Sequence, residues 1–410
     1  MGVTATFDIA AIRAEFPILS RRVHDGRPLV YMDSAATTMK PRHVLDAMRS
    51  FDEQHYSNVH RGSHTLAAEA TEMFEGARTQ VAAMLGANAD EIIFTKGTTE
   101  SVNLVAATWG RQHVQTEDVI LVSAMEHHAN IVPWQMVAAE TGASVRPIPV
   151  LEDGSLDDAS ARQMLTADIR ILAVTHVSNV LGTVNNVARL CAMARERGIV
   201  TFVDGAQAVQ HGNVNVRDIG CDFYAFSAHK LYGPTGVGVL YGRREMLASM
   251  PPYQGGGAMI DRVSFAGTTY AEPPMRFEAG TPHLEGAIGL AAAIEWFRSI
   301  DCDALRHHEA ELLAHATEEL SRIDGMRIIG TSPNKVGIIS FVVDGVHASD
   351  IGMIADRMGV AMRVGHHCAQ PLMDRFGVSS TVRMSFGVHT SHDDVQQSVH
   401  AVAKAVEMLR

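Results

Sequence analysis

The 410-residue sequence contains few lysines, few cysteines and no long apolar segment. No apolar run approaches the roughly 20 residues needed to cross a bilayer, so we expect no membrane-spanning helix. The four cysteines are far apart and lack C-x-x-C spacing, which argues against a disulfide framework or a zinc site and favours a reducing, cytoplasmic compartment. The net charge is -12 and basic residues form no block, so we expect no nucleic-acid partner.

Histidine, a common metal ligand, is abundant in the sequence, with 21 copies. Several lie in adjacent pairs, whose side chains diverge on either a helix or a strand. These pairs are His127-His128, His307-His308 and His366-His367. No H-E-x-x-H motif is present. The sequence therefore predicts no metal site, and most histidines are expected to face solvent or to form ordinary hydrogen bonds.

Between about residues 90 and 240, short apolar runs alternate with stretches of helical pattern. This alternation is typical of an α/β protein with a mostly parallel sheet flanked by helices. The runs are residues 91–94, 119–122, 171–174, 199–203 and 223–226. Ligands of such sheets bind beyond the carboxyl ends of the strands, so the polar residues that follow each run are candidates for one site. They are Thr98, Thr99, His127, His128, Ser178, Asn179, Asp204, Gln207, Ser227, His229 and Lys230.

The rest of the chain predicts a smaller second domain. Residues 253–279 are rich in glycine and proline, which favours a long excursion or hairpin outside the core. Beyond them the pattern predicts a helix from residue 285 to 297, followed by helix, strand, helix, strand and a last helix that opens at Ser391. We expect a large domain over residues 25–289 and a small domain over residues 1–24 and 290–410.

Lys230 is the candidate for holding an aldehyde cofactor covalently. It follows Asp204 by 26 residues, and a carboxylate of this kind can keep a pyridine nitrogen protonated so that the ring accepts electrons. Of the five lysines, only Lys96 also follows a predicted strand. It leads into a turn that opens a helix, where hydroxyls and backbone N–H groups suit a phosphate. We therefore expect a supporting or surface role for Lys96.

Cys368 is the candidate nucleophile because it lies in a loop beside histidines and near an arginine, which favour the thiolate. A lone cysteine is more commonly a small core residue, but the loop setting, after a predicted strand over residues 360–364, favours reactivity. In residues 381–386 apolar side chains alternate, which places Arg383 opposite the core. There it suits bidentate capture of a substrate carboxylate, and a surface salt bridge is the alternative.

Four motifs resemble those of one enzyme family. They are Thr175-His176-Val177-Ser178-Asn179, Val203-Asp204-Gly205-Ala206-Gln207, the ten residues from Ser227 to Gly236, and Arg363-Val364-Gly365-His366-His367-Cys368-Ala369. The sequence resembles the class V aminotransferase-fold cysteine desulfurases almost end to end. Its cysteine loop is similar to that of the SufS-type group, which includes selenocysteine lyases, rather than to the NifS/IscS-type group. Ala228 departs from the glycine of many relatives, and we expect no loss of function from one added methyl.

The resemblance implies a fold type I enzyme dependent on pyridoxal 5'-phosphate (PLP). Its large domain would contain a mostly parallel seven-stranded sheet, and its smaller C-terminal domain would be α+β. The catalytic residues would be Lys230, Cys368 and His127. The cofactor-binding residues would be Lys230, Asp204, Gln207, His127, Thr98, Thr99, Ser227, His229 and, supplied by a second subunit, Thr281. The substrate-binding residues would be Asn179, Arg383, Arg363 and Arg61.

The implied reaction converts L-cysteine to L-alanine and transfers the sulfur to Cys368 as a persulfide. The resemblance further implies a homodimer and a sulfur-acceptor protein of the SufE or SufU kind, for iron–sulfur cluster assembly. Three alternatives stay open. They are selenocysteine lyase activity at the same site, another reaction of the fold such as transamination or kynurenine cleavage, and a catalytically silent binding or scaffold protein.

Overall fold

The computed structural model describes residues 7–410 of the chain. Its strands, in chain order, are β1 (Arg22–Val23), β2 (Arg27–Pro28), β3 (Val30–Tyr31), β4 (Ile92–Thr95), β5 (Val119–Ser123), β6 (Ser144–Ile148), β7 (Ile169–Thr175), β8 (Val200–Asp204), β9 (Phe223–Ser227), β10 (Gly238–Gly242), β11 (Ile260–Ser264), β12 (Gly267–Tyr270), β13 (Met326–Ile329), β14 (Ile338–Val343), β15 (Val360–Ala361), β16 (Arg363–Gly365) and β17 (Thr381–Ser385). Its α-helices are α1 (Ile9–Ala14), α2 (Arg42–Gln54), α3 (Thr65–Leu85), α4 (Thr98–Val105), α5 (Arg111–His113), α6 (Val132–Thr141), α7 (Asp158–Met164), α8 (Val187–Arg195), α9 (Val216–Ile219), α10 (Arg244–Ser249), α11 (Leu284–Arg298), α12 (Cys302–Ser321), α13 (Ala348–Arg357), α14 (Gln370–Phe376) and α15 (His392–Leu409).

The central sheet has seven strands in the order β4-β10-β9-β8-β7-β5-β6. Neighbours from β9 to β6 are parallel, whereas β10 is antiparallel to both β9 and β4. The predicted mostly parallel, seven-stranded sheet is confirmed, and the five predicted runs correspond to β4, β5, β7, β8 and β9. The sequence pattern did not predict two strands of this sheet. The edge strand β6 is largely exposed and contains Arg146 and Pro147, and β10 begins at the end of a glycine-rich turn.

Side chains of the inner strands alternate between two apolar layers, one on each face of the sheet. In β5, Leu121 packs into one layer, while Ile120 and Val122 pack into the other. In β7, Leu172 and Ile171 divide in the same way. Strands buried on both faces need apolar side chains at successive positions, which explains the continuous apolar runs in the sequence. Parallel direction then brings the carboxyl ends of β5, β7, β8 and β9 to one edge.

A second sheet has four antiparallel strands in the order β13-β14-β17-β16. Its core includes Val382, Met384 and Phe386, as the alternation in residues 381–386 predicts. The single strand predicted over residues 360–364 is instead two strands in different sheets, because β15 pairs with β3 and β16 pairs with β17. The last helix follows the prediction, since Ser391 caps the start of α15.

The predicted domain division remains a prediction, and residues 1–6 of its small domain lie outside the described residues. Helix α11 is continuous across the predicted boundary at residues 289 and 290 and packs on α2 and α3. Val30 and Met32, placed in the large domain by that division, pack into the core of the four-stranded sheet. Tertiary contacts therefore cross the predicted boundary, and some residues assigned to the large domain pack in the core of the four-stranded sheet.

The excursion predicted over residues 253–279 contains the exposed hairpin β11–β12, joined by antiparallel pairing. Phe265 at its tip is fully exposed, and Val263 is 62% exposed. Within residues 7–410 no helix has both the length and the apolar character needed to cross a membrane.

Candidate active site

A cavity of about 270 Å³ lies between the carboxyl edge of the central sheet and the four-stranded sheet. Residues of both sheets and of their loops line it: Ala35, Ala36, Thr98, Thr99, His127, Ala129, Thr175, Val177, Asn179, Asp204, Ala206, Gln207, Ser227, His229, Lys230, Arg363, His367, Cys368 and Arg383. The structure thus brings together all the site residues that the resemblance implies except Arg61 and Thr281. His128 and Ser178, which were also predicted to belong to the site, do not line the cavity. The distant amine of Lys230 and thiol of Cys368 face one shared opening.

Lys230 ends a short 3-10 turn (Ala228–Lys230) that directly follows β9. Among residues 7–410, no side chain or backbone group forms a hydrogen bond or ion pair with its Nζ atom. Burial lowers the pKa of Lys230 to about 8, although the nearby carboxylate of Asp204 opposes the shift. The amine therefore loses its proton at a lower pH than an ordinary lysine does, which suits a nucleophile or a base. Lys96, by contrast, is 79% exposed and lies 4.0 Å from Glu100, which agrees with a surface role.

Asp204 is the last residue of β8 and is buried beneath the cavity. The backbone N–H of Ala206 donates to its Oδ1 at 2.9 Å, and nothing in the described chain donates to its Oδ2. Burial raises the pKa of Asp204, and the ammonium of Lys230 opposes that shift. A cationic ring nitrogen in the cavity would lower it again. Beside Asp204, Gln207 is tethered to the cavity wall because its Nε2 donates to the carbonyl of Ala35 at 2.6 Å.

One end of the cavity has the features of an anion site. Helix α4 begins at Thr98, directly after Gly97, whose φ of 154° is one that side chains rarely adopt. The N–H and the hydroxyl of Thr98 both lie 2.9 Å from the Ser227 hydroxyl, so the start of α4 and the end of β9 contribute polar groups to the same place. Free N–H groups at a helix N-terminus bind phosphate readily. Burial lowers the pKa of His229 here to about 4, so its ring is neutral at neutral pH.

The Cys368 loop is short, joining β16 to α14 through four residues, and its backbone is strained. His367 and Cys368 have φ values of 53° and 55°, in the left-handed region that non-glycine residues rarely occupy. Such residues cost of order 1–3 kcal/mol each and persist only where neighbours hold them in place. Part of the restraint is internal, because His366 Nδ1 accepts from the Cys368 N–H at 3.1 Å. The thiol itself is exposed.

Residues of the central sheet's loops provide the remaining restraint on the Cys368 loop. The N–H of His128 donates to the Cys368 carbonyl at 2.7 Å, and His128 Nε2 accepts from the Gln370 N–H at 3.0 Å. Asn179 Nδ2 donates to the His367 carbonyl at 2.8 Å. His128 was predicted to be part of the site, but it does not line the cavity and instead anchors the loop. Asn179 does both.

Asp33, which was not among the predicted site residues, forms ion pairs with both arginines of the site. Its carboxylate accepts from Arg383 Nη2 at 3.0 Å and from Arg363 Nε at 3.0 Å. Arg383 is 2% exposed, so the predicted alternative of a surface salt bridge for it is wrong. Its Nη1 donates to the Asn179 carbonyl at 2.8 Å, and its buried Nε has no partner within the described residues. The acceptors of the described chain therefore do not satisfy every donor of this guanidinium. Asp33 directly follows an apolar run, the signal that selected the other site residues.

We expect Asp33→Asn to lower the free energy of unfolding by about 3 kcal/mol, because it leaves the buried Arg383 guanidinium without its counter-charge. Denaturant unfolding of the purified protein measures the change. Asp90→Asn is the matched control, since its partner Arg244 is 74% exposed, and we expect a loss below about 1 kcal/mol. Equal, small losses in the two variants would show that Asp33 is not needed to balance the buried charge.

Arg61 and Thr281 do not reach the cavity of their own chain. Arg61 is exposed, and Thr281 lines a separate cavity of about 420 Å³ near Lys96 and Glu100. The resemblance assigns Thr281 to the site of a second subunit, and it places Arg61 in the part of the site that adjoins the dimer partner. Within their own chain they do not line the active-site cavity, and their predicted roles remain predictions.

Comparisons with known proteins agree with this architecture. The family model for class-V aminotransferases matches residues 30–397. The chain belongs to the class-V aminotransferase family. Within that family, the chain is 48% identical over 402 residues to a probable cysteine desulfurase of Xylella fastidiosa, covering 98% of this chain and 96% of that one. It is 49% identical over 403 residues to a probable cysteine desulfurase of Vibrio cholerae, covering 98% and 99%.

Solved structures of class-V relatives resemble the fold closely. The cysteine desulfurase CsdA from Escherichia coli superposes with a TM-score of 0.91 at 41% identity, covering 99% of this chain and 100% of that one. A cysteine desulfurase from Thermococcus onnurineus gives a TM-score of 0.93 at 36% identity, covering 100% and 99%. The fold predicted from the motifs, that of a class V aminotransferase, is therefore confirmed.

Proposed function

We propose that this protein is a PLP-dependent cysteine desulfurase that converts L-cysteine to L-alanine and collects the sulfur on Cys368. The observation that carries the proposal is the single cavity shared by the amine of Lys230, the carboxylate of Asp204 and the thiol of Cys368. Transamination and kynurenine cleavage need no thiol at this position. A silent scaffold needs neither a buried amine of lowered pKa nor a buried carboxylate.

The cavity residues fit PLP. The cavity volume of about 270 Å³ is close to the lower end of the range for ligand pockets, which is about 300 Å³. Lys230 Nζ and Asp204 Oδ2 both lack a hydrogen-bond partner in the described chain. The amine is suited to react with the aldehyde of PLP, and the carboxylate oxygen is suited to accept from its protonated ring nitrogen. The N-terminus of α4, with Thr98, Thr99, Ser227 and His229, would hold the phosphate. His127 would contact the ring face and Gln207 its hydroxyl.

Bound PLP supplies an aldehyde for amine chemistry and a protonated ring that accepts electrons from the substrate. The chain's own groups perform the remaining tasks. Arg383 and Arg363, which both line the cavity, would bind the substrate carboxylate, and Asn179 would help to place it. Lys230 would remove the Cα proton, since its lowered pKa leaves part of the amine neutral. Burial lowers the pKa of His127 to about 4, so its ring stays neutral beside the reacting atoms.

Cys368 would then take the sulfur. Its thiolate attacks the substrate sulfur, an S–S bond forms as the C–S bond breaks, and the electron pair of that bond returns to the substrate carbon. Protonation of that carbon and release give alanine, while Cys368 retains a persulfide. The loop restraints at His128 and Asn179 keep the thiol at the cavity mouth, where an acceptor can also reach it.

Mass spectrometry of the PLP-loaded protein after incubation with L-cysteine tests the proposal. We expect a gain of one sulfur atom on the Cys368 peptide, together with release of alanine. Alanine release without any sulfur on Cys368 would reject the role of the thiol. The absence of both products would reject the desulfurase activity.

Among cysteine desulfurases, we propose that this protein belongs to the SufS-type group. The proposal rests on the residues of the motif Arg363-Val364-Gly365-His366-His367-Cys368-Ala369 and on the shortness of its loop. The sulfur acceptor would be a protein of the SufE or SufU kind, serving iron–sulfur cluster assembly in the cytoplasm. Selenocysteine lyase activity at the same cavity is a second candidate, favoured by the same loop wording. Alanine release from L-selenocysteine that survives Cys368→Ala, while release from L-cysteine does not, would support it.

We further propose that the protein acts as a homodimer. The exposed Phe265 and Val263 of the β11–β12 hairpin offer apolar surface, and Arg61 and Thr281 lie outside their own chain's cavity. In a dimer these two side chains would complete the cavity of the other subunit. Sedimentation velocity of the PLP-loaded protein distinguishes a dimer from a monomer.

The lowered pKa of Lys230 predicts a pH effect on the protein stripped of PLP. Between pH 8 and 10.5 the unfolded chain binds more protons at this lysine than the folded chain does. Stability should therefore rise with pH across that window, relative to a Lys230→Met variant in which the group is absent. Urea unfolding of both proteins at several pH values measures the difference. Lys335, whose pKa burial also lowers to about 8, contributes equally to both and cancels. If the free energy of unfolding changes with pH in the same way in both proteins, the lowered pKa of Lys230 is contradicted.

A further inference from the structure

Outside the active site, three metal-ligating side chains meet on the surface of the four-stranded-sheet region. His308 and Glu311 lie on α12, and His392 is the first residue of α15. One ligand atom from each residue lies within 4.8 Å of the others. His308 and Glu311 are three positions apart, which places both on one face of α12. The adjacent histidine pairs of the sequence suggested no metal site, but helix packing joins one member of a pair to a histidine more than eighty residues away.

The hydrogen bonds of His308 leave its ring prepared for a ligand. Its Nε2 donates to the Thr390 carbonyl at 2.8 Å, because a carbonyl can only accept, and Nδ1 therefore carries the lone pair. A backbone carbonyl that orients the distal nitrogen is the usual second partner of a metal-bound histidine. The Phe7 ring stacks on His308 with centroids 4.7 Å apart, which further fixes the ring plane.

The remaining contacts of the cluster permit binding. Glu311 lies 3.1 Å from His307, but both side chains are more than half exposed, so that pair is weak and a cation can displace it. The ring of His315 lies 5.9 Å from that of His392 and offers a fourth donor beside the three. The N-terminus of α15 disfavours a cation, yet the carboxylate of Glu311 supplies opposing charge within the cluster.

We propose that His308, Glu311 and His392 form a surface site for a divalent transition-metal ion. Two imidazoles and one carboxylate match the donor set of zinc, and the exposed position leaves room for water or His315 as a fourth ligand. The bound ion would cross-link α12 to the first turn of α15, and so stabilise the packing of these two helices. Neither the desulfurase reaction nor PLP requires this site.

Isothermal titration with ZnCl₂ tests the site in untagged, PLP-loaded protein that has been treated with EDTA and dialysed. All variants carry Cys368→Ser, which removes the exposed thiol as a competing zinc ligand. We expect one zinc per chain and a rise in unfolding temperature on adding zinc but not magnesium. His392→Gln should weaken binding by at least about 100-fold, and Glu311→Gln should weaken it by about tenfold or more.

His400→Gln, an exposed substitution on α15 away from the cluster, is the matched control and should bind zinc as the parent does. Unfolding temperatures without zinc check that each variant folds. The proposal is overturned if the parent binds no zinc, or if His392→Gln and Glu311→Gln retain both the affinity and the thermal shift of the parent.

Discussion

Replacing Cys368 with alanine is expected to lower alanine release from L-cysteine by at least about 10³-fold, while the visible absorbance of bound PLP is retained. The methyl group cannot attack the substrate sulfur, and in the described chain no other cysteine lines the cavity. Steady-state assays of alanine, with absorbance spectra of the same samples, separate the loss of the nucleophile from a loss of the cofactor.

Cys302→Ala is the matched control for this result. Cys302 is partly exposed at the start of α12 and lies outside the cavity, so its loss should leave activity and persulfide formation unchanged. If Cys368→Ala releases alanine from L-cysteine at the native rate, the sulfur leaves without the thiol and the persulfide mechanism fails.

Lys230→Ala has the second large expected effect. PLP should no longer remain attached through dialysis, its protein-bound visible absorbance should disappear, and alanine release should fall by at least about 10³-fold. The reason is structural as well as chemical, since Lys230 is the only lysine that lines the cavity among residues 7–410. Spectra before and after dialysis, with the alanine assay, measure both consequences.

Lys96→Ala tests the specificity of that effect. Lys96 also follows a strand of the central sheet, but its side chain is 79% exposed and does not line the cavity. We expect unchanged absorbance and activity. Retained absorbance in Lys230→Ala, or its loss in Lys96→Ala, would show that the cofactor lysine has been misassigned.

Much of the site could be predicted because parallel strands convert sequence order into spatial proximity. A polar residue directly after a buried strand lies at the carboxyl edge of the sheet wherever that strand sits, so Thr98, His127, Asp204 and Lys230 could be grouped without a structure. Strand β10 was harder to predict because its glycine-rich start obscures the apolar pattern. The edge strand β6 is mostly exposed, so no apolar run marks it.

The partners of buried charges could not be predicted from sequence. Arg383 was expected to project from its strand, but the identity of its counter-ion depends on how residues 30–33 cross into the four-stranded sheet. Likewise, the left-handed backbone at His367 and Cys368 is held by His128 and Asn179, which lie far away in sequence. Such contacts are long-range, and local pattern carries no information about them.

The sequence by itself determined the fold class, the aldehyde-binding lysine as a candidate and the motif that contains the thiol, because each depends on local periodicity or on a contiguous run of residues. Only the tertiary structure decided that amine and thiol share one cavity, that Asp33 joins two arginines, and that His308 meets Glu311 and His392. The physical reason is that these side chains come from segments with no common period, and only the packing of sheets and helices sets the distances between them.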